Sequence, residues 1–205
     1  MTIIYSPEFN STSYINLEQR QGQLLGLEVC GSTELLSELE LRAGIAVQEL
    51  SEPERLVAFH ESLSKNVTGT IFAESFKTDE VGVARQLMAW TDNLLMAGWK
   101  TDTEDDSDKL KALAKTPDTE DDSDKLKALA KIAKGVLGKH VAQRWQDLTT
   151  YLKDHTIFQK DDVIEVHTED LIPAVIKSTL EQLAHQATVN YVTNEGQIPT
   201  DFRVY

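Results

Sequence analysis

Apolar positions along the chain change period several times, and each change marks an element. The β-branched run TIIY (2–5) reads as a strand, and GLEVC (26–30) reads as a second, short and buried. From residue 32 the period lengthens. In STELLSELELRAG, Leu35, Leu36, Leu39 and Leu41 supply a helical apolar face, Ser32 or Thr33 is the expected cap, and Gly44 the stop. A further helix opens with a capping box, Ser51 followed by Glu54, with Pro53 in its first turn, and runs through LVAFHESLSK. After Asp79 the helical spacing is clearest: Val81, Ala84, Leu87, Met88, Thr91, Leu94 and Leu95, widened by Val83 and Trp90. Gly98 is expected to end this helix, with Trp99 packing back on its last turn.

Downstream, Val141, Trp145, Leu148 and Leu152 mark another amphipathic helix. The pair Asp161-Asp162 introduces the strand VIEVH (163–167). IPAVIKSTLEQLAHQ (172–186) reads as a helix with Pro173 in its first turn, and ATVNYV (187–192) as a closing strand. Strand–helix–strand alternation favours a parallel α/β sheet in a three-layer domain. The expected organisation is an α/β domain over 1–100 and 156–192, a helical insertion over 101–155, and a tail, 193–205, without periodicity and expected to be truncated.

The segment DTEDDSDKLKALAK occurs at 102–115 and again, letter for letter, at 118–131. The blocks 102–117 and 118–133 therefore form a tandem duplication of period 16 (118 − 102), the mark of a recent duplication or an artefact. Two copies are too few to stack into a solenoid. Pro117 disfavours helix at Thr116, so the first copy reads as a short helix capped at Ser107 or Asp108, in an exposed surface insertion; the second can run on through KIAKGVL.

Composition narrows the function classes. The 205 residues carry 20 Lys and Arg against 34 Asp and Glu, a formal net charge of −14. Nucleic-acid binding depends on cations that neutralise phosphates, so the chain as a whole should repel DNA. No apolar run approaches a bilayer span and the N-terminus lacks a signal-peptide pattern. A single cysteine, Cys30, precludes an internal disulfide, and a cytoplasmic location is expected.

Candidate chemistry is sparse. After the first strand, SPEFNSTS (6–13) falls on the grid of a phosphate loop, G-x-x-x-x-G-K-[ST]. Ser6 and Ser11 stand where glycines belong, Thr12 where the lysine belongs, and Ser13 keeps the hydroxyl. Side chains at the glycine positions, a neutral residue for the lysine and the added charge of Glu8 all oppose a triphosphate. Each lost charge-assisted hydrogen bond costs roughly 1.5–3 kcal/mol. Asp118, Glu120, Asp122 and Asp124 echo the first ligands of a calcium loop, but Ser123 and Leu129 replace its glycine and final acid; a solvated helix N-terminus accounts for them better. GVLGKH (135–140) reads as a helix break. Asp162 with Glu165 and His167 echoes a metal-nuclease arrangement without its lysine. The histidines are scattered, no metal site or cofactor is expected, and Cys30 reads as a small buried hydrophobe.

Three stretches together resemble the AddB-like proteins, large chains described as inactivated superfamily I helicases with a C-terminal PD-(D/E)XK nuclease domain. GLEVCGSTELLSELELRAGI (26–45) resembles a strand, turn and leucine-rich helix near their start. SEPERLVAFHESL (51–63) is similar to the helix that follows. ESFKTDEVGVARQLMAWTDNLLMAGW (74–99) carries the most specific pattern, on Ala84, Arg85, Trp90, Asp92, Leu94, Gly98 and Trp99. The resemblance covers roughly 1–100 well and 138–192 loosely, and excludes the duplicated segment. It implies a RecA-like fold with a degenerate phosphate loop. The role it implies is a non-catalytic scaffold within a DNA-repair helicase–nuclease that processes double-strand break ends. The implied partners are the remainder of a longer chain or a helicase motor subunit, with DNA reached only through the full assembly. Trp90 and Trp99 read as packing residues. The alternative is an α/β nucleotide- or phosphate-binding enzyme that uses the loop at 6–13.

Overall fold

In the computed structural model the described residues are 1–9, 13–15, 26–46, 50–100, 120–134, 140–167, 172–192 and 202–204; for 13–15, 120–123 and 202–204 the description is of backbone alone. Among them the strands are β1 (Thr2–Tyr5), β2 (Ser13–Ile15), β3 (Leu27–Cys30), β4 (Val163–His167), β5 (Thr188–Val192) and β6 (Phe202–Val204). Seven helices lie among them: α1 (Ser32–Ala43), α2 (Glu52–Asn66), α3 (Ala73–Thr78), α4 (Glu80–Met96), α5 (Glu120–Ala133), α6 (Val141–Leu152) and α7 (Ala174–Leu183). The chain divides into two compact units, Met1–Val47 with Arg144–Tyr205, and Gln48–Gln143. The divisions thus fall at 47/48 and 143/144. Helices α2–α4, expected in the α/β part, belong to the helical unit, and the sheet-bearing unit resumes at Arg144 within the span expected to be insertion.

The first unit is α/β. Its four-stranded sheet has the order β3-β1-β4-β5, and every pair is parallel. Successive residues of a strand point to opposite faces, so burial of Ile3, Ile4 and Tyr5 together means that both faces of β1 are covered. Each such side chain contributes about 1.5–3 kcal/mol by leaving water. Strand β3, expected to be buried, lies at the sheet edge and only Cys30 in it is fully buried; β5 forms the other edge. Residues 202–204, in the tail read as aperiodic, pair antiparallel with β2. Three-residue strands leave no period to detect.

Local chemistry explains the helix ends, with some corrections. Helix α1 begins at Ser32 with Gly31, in extended backbone, at the cap position, so Ser32 and Thr33 lie within its first turn; the Ser32 hydroxyl pairs with the Tyr5 hydroxyl at 3.1 Å. Gly44, at φ 67°, ends α1 as expected. Its buried face is Leu35, Leu36, Leu39 and Glu40; Leu41, assigned to that face from sequence, is 74% exposed. Position 40 lies four residues from Leu36 and so shares its face, and Glu40 is tolerated there only because Arg144 neutralises it. Thr149 and Thr179 join α6 to α7 through their hydroxyls at 2.7 Å. Gln186 holds the exit from α6 by donating to the carbonyls of Leu152 and His155 and accepting from the Ile157 N–H.

The second unit is helical. Phe59 and Leu63 of α2, Phe76 of α3, Leu87, Met88 and Leu95 of α4, Trp99, and Leu129 and Ile132 of α5 form one buried cluster. The capping box is present: the Ser51 N–H donates to the Glu54 carboxylate at 2.8 Å. Asp79 caps α4 by accepting from the Gly82 N–H at 2.8 Å. Trp99 packs into the core as expected, and Gly98, at φ 91°, lies past the end of α4. Two positions of the expected stripe are not core: Val81 is exposed and Trp90 is 45% exposed. Both sit beyond the arc defined by Ala84, Leu87, Met88, Thr91 and Leu95.

Candidate functional site

In an open parallel sheet, ligands bind outside the carboxyl ends of the strands where the strand order reverses. Here the chain moves from β1 to β3 on one side and returns to β4 on the other, so the reversal lies at the β1–β4 boundary. The segment leaving β1 begins with Ser6, whose polar groups engage the adjoining turn. Its N–H donates to the Cys30 carbonyl at 3.3 Å, its carbonyl accepts from the Phe9 N–H at 3.1 Å, and its hydroxyl accepts from the Glu8 N–H at 3.3 Å. Phe9 turns inward and is buried against Ile4, Leu27 and Val29. A β-carbon on Gly31 would collide with the Phe9 carbonyl oxygen, so glycine is what lets the turn lie on the start of α1.

Among the described residues the strand ends present no activated nucleophile. Tyr5 is fully buried and its phenol is pushed up to about 12, by burial first, with the Ser32 hydrogen bond opposing. Cys30 is buried as expected, and burial, then the carboxylates of Glu28, Glu34 and Glu38, push its thiol upward, away from thiolate chemistry. His167 is buried at the end of β4, its ring centroid 6.4 Å from that of Phe9 and its Nε2 3.9 Å from the Glu165 carboxylate.

Of the phosphate-loop positions, Ser6 is in this turn, Ser13 opens β2, and Ser11 and Thr12 lie outside the described residues. A phosphate loop launches a helix at its final hydroxyl residue. Here that residue begins a strand. Residues 1–15 contain no Lys or Arg to meet phosphate charge.

The metal-nuclease echo does not converge. Asp162 precedes β4 and accepts from the Met1 amine and the Gln159 N–H, each at 2.8 Å. These two hydrogen bonds, the first above all, hold its carboxyl below the usual range. His167 is at the far end of the strand, about 16 Å away at a rise of about 3.3 Å per residue. Among the described residues no three His, Cys, Asp or Glu side chains could hold a metal ion. Residues 120–124, from the calcium-like run, lie in the first turns of α5.

A polar cluster that sequence reading missed lies in the helical unit. Arg55 of α2 and His140 meet at Asp92 of α4, in a small pocket lined by Phe59, Met88, Thr91 and Ala133. His140 caps α6 by accepting the Ala142 N–H on Nδ1 at 3.1 Å, so in the neutral ring Nε2 carries the hydrogen donated to Asp92 at 3.0 Å. Both ring nitrogens are committed within the cluster. The cluster is a helix clamp. Asp92 belongs to the W-x-D pattern, but three positions separated by 37 and 48 residues (92 − 55 and 140 − 92) carry no periodic signal.

No protein-family model matches the chain, and no curated protein matches it in sequence. No helix among the described residues is long and apolar enough to cross a membrane.

Proposed function

We propose that the chain is a non-catalytic, RecA-like scaffold domain of a DNA-repair helicase–nuclease of the AddB-like kind, with its nucleotide site lost. The observation that carries this reading is the Ser6–Phe9 turn. Its backbone is hydrogen-bonded within the turn and to Cys30, and the Phe9 ring packs on Ile4, Leu27 and Val29, which favours a turn that serves the fold over one that holds a ligand. The net charge of −14 supports contact with DNA only through other parts of an assembly. The residues of the resemblance support the family: Asp92, Leu94 and Trp99 hold the helical unit together, while Trp90 stays half-exposed, available to the rest of a longer chain or a motor subunit. The enzyme alternative needs main-chain N–H groups of 11–13 to converge on phosphate; a strand beginning at Ser13 works against that arrangement.

Reading the gene past Tyr205 tests the family assignment. A PD-(D/E)XK nuclease motif in the same frame is the expected result, and a stop codon directly after Tyr205 would remove the assembly from the account.

A further inference from the structure

Helix α5 belongs to the second of the two identical segments, and its packing bears on what the first can do. Leu129 and Ile132 are buried in the core formed with α2 and α4, and Leu126 and Ala130 pack at its margin. The Ser62 hydroxyl of α2 donates to the Ile132 carbonyl at 2.6 Å, satisfying an acceptor of the last turn. Moving back by the period of 16 carries Leu126, Leu129 and Ala130 onto Leu110, Leu113 and Ala114, the same residue types. Only the last two positions of the block differ: Ile132 and Ala133 become Thr116 and Pro117.

We propose that the groove between α2 and α4 is a helix-binding site with two competing occupants in one chain, residues 118–133 and residues 102–117. The contacts made by the fourteen shared residues are equal for either occupant and cancel. What remains is Ile132, fully buried, against a threonine that would bring a hydroxyl into the core, and Ala133 against a proline with no N–H to give. These two residues select the second copy. The connecting segments change length by one block between the two states, and closure entropy depends only weakly on that length.

Thiol labelling tests the exchange, with Ala130→Cys as reporter in the groove and buried Cys30 as a slow internal reference. In the otherwise wild-type chain the thiol introduced by Ala130→Cys is protected. The substitutions Thr116→Ile and Pro117→Ala make the two blocks identical apart from the reporter, so the helix at 118–133 should occupy the groove half the time and protection should fall to about twofold. A separate chain with the same two substitutions and the reporter moved to the first block, by Ala114→Cys, should show protection that the Ala114→Cys change alone does not give. Deleting 102–117 removes the competitor along with both substitutions and should restore full protection of the Ala130→Cys reporter, which separates exchange from simple loss of stability. The deletion also joins Thr101 to the second block with the short connection that the alternative occupant would use. Unchanged protection of the Ala130→Cys reporter in the Thr116→Ile/Pro117→Ala chain would overturn the proposal, as would its loss in the deletion.

Discussion

Arg55 donates from Nη2 to both carboxylate oxygens of Asp92, at 2.7 Å each, and so ties α2 to α4 at a point where His140 also binds. Replacing Asp92 with Ala leaves two donors facing a partly buried space. The expected cost is about 1.5–3 kcal/mol, read as a lower denaturation midpoint at pH 7. The same pair predicts a pH dependence. Burial opposes ionisation of Asp92, but hydrogen bonds and charge from His140 and Arg55 outweigh it and hold the carboxyl below the usual range. A carboxyl lowered on folding adds stability above its unfolded pKa, about 3.9, and loses it as pH falls through the lower folded value. The stability gap between wild type and Asp92→Ala should therefore be constant from about pH 7 to 5 and shrink below about pH 4. A gap that holds constant down to about pH 2 would show that ionisation of Asp92 has no part in it.

Glu40 and Arg144 make a second, more buried ion pair, bridged twice at 2.9 and 2.6 Å. Removing one partner strands a charge: Arg144→Ala should cost about 3–5 kcal/mol, whereas Glu40→Leu with Arg144→Leu should recover most of the loss. Chemical denaturation of the two variants checks this. A double variant as unstable as the single one would mean that the pair contributes attraction beyond its mutual neutralisation.

Much of this fold was legible in the sequence, and the parts that were not share a cause. Long periods announced themselves: α4 and α2 follow their apolar spacing and capping residues, and the central strands their β-branched runs. The three-residue strands β2 and β6 are too short to carry a period. Glu40 was hidden because a buried charge depends on Arg144, 104 residues away, and Trp90 was read as core because hydrophobicity alone does not say how far neighbouring helices extend. At the candidate site, the absence of glycine and lysine from 6–13 was visible from the letters. The inward turn of Phe9 was not, since its carbonyl lies where a side chain at position 31 would be, 22 residues further along the chain (31 − 9).

Gly31 lies against that turn, and Gly31→Ala tests the contact. The added methyl meets the Phe9 carbonyl, backbone that cannot swing aside. The expected cost is about 1–3 kcal/mol in thermal or chemical unfolding, the range for overpacking a close contact. An alanine variant as stable as wild type would mean that the turn does not rest on the start of α1.

The proposed absence of a nucleotide site after β1 is the central claim, and calorimetric titration of the chain with ATP and magnesium tests it most directly. With Ser6 bound into its own turn, Phe9 in the core and no Lys or Arg in the first fifteen residues, no saturable heat should appear. Saturable micromolar binding that is lost when Thr12 and Ser13 are replaced by bulky residues would contradict the account.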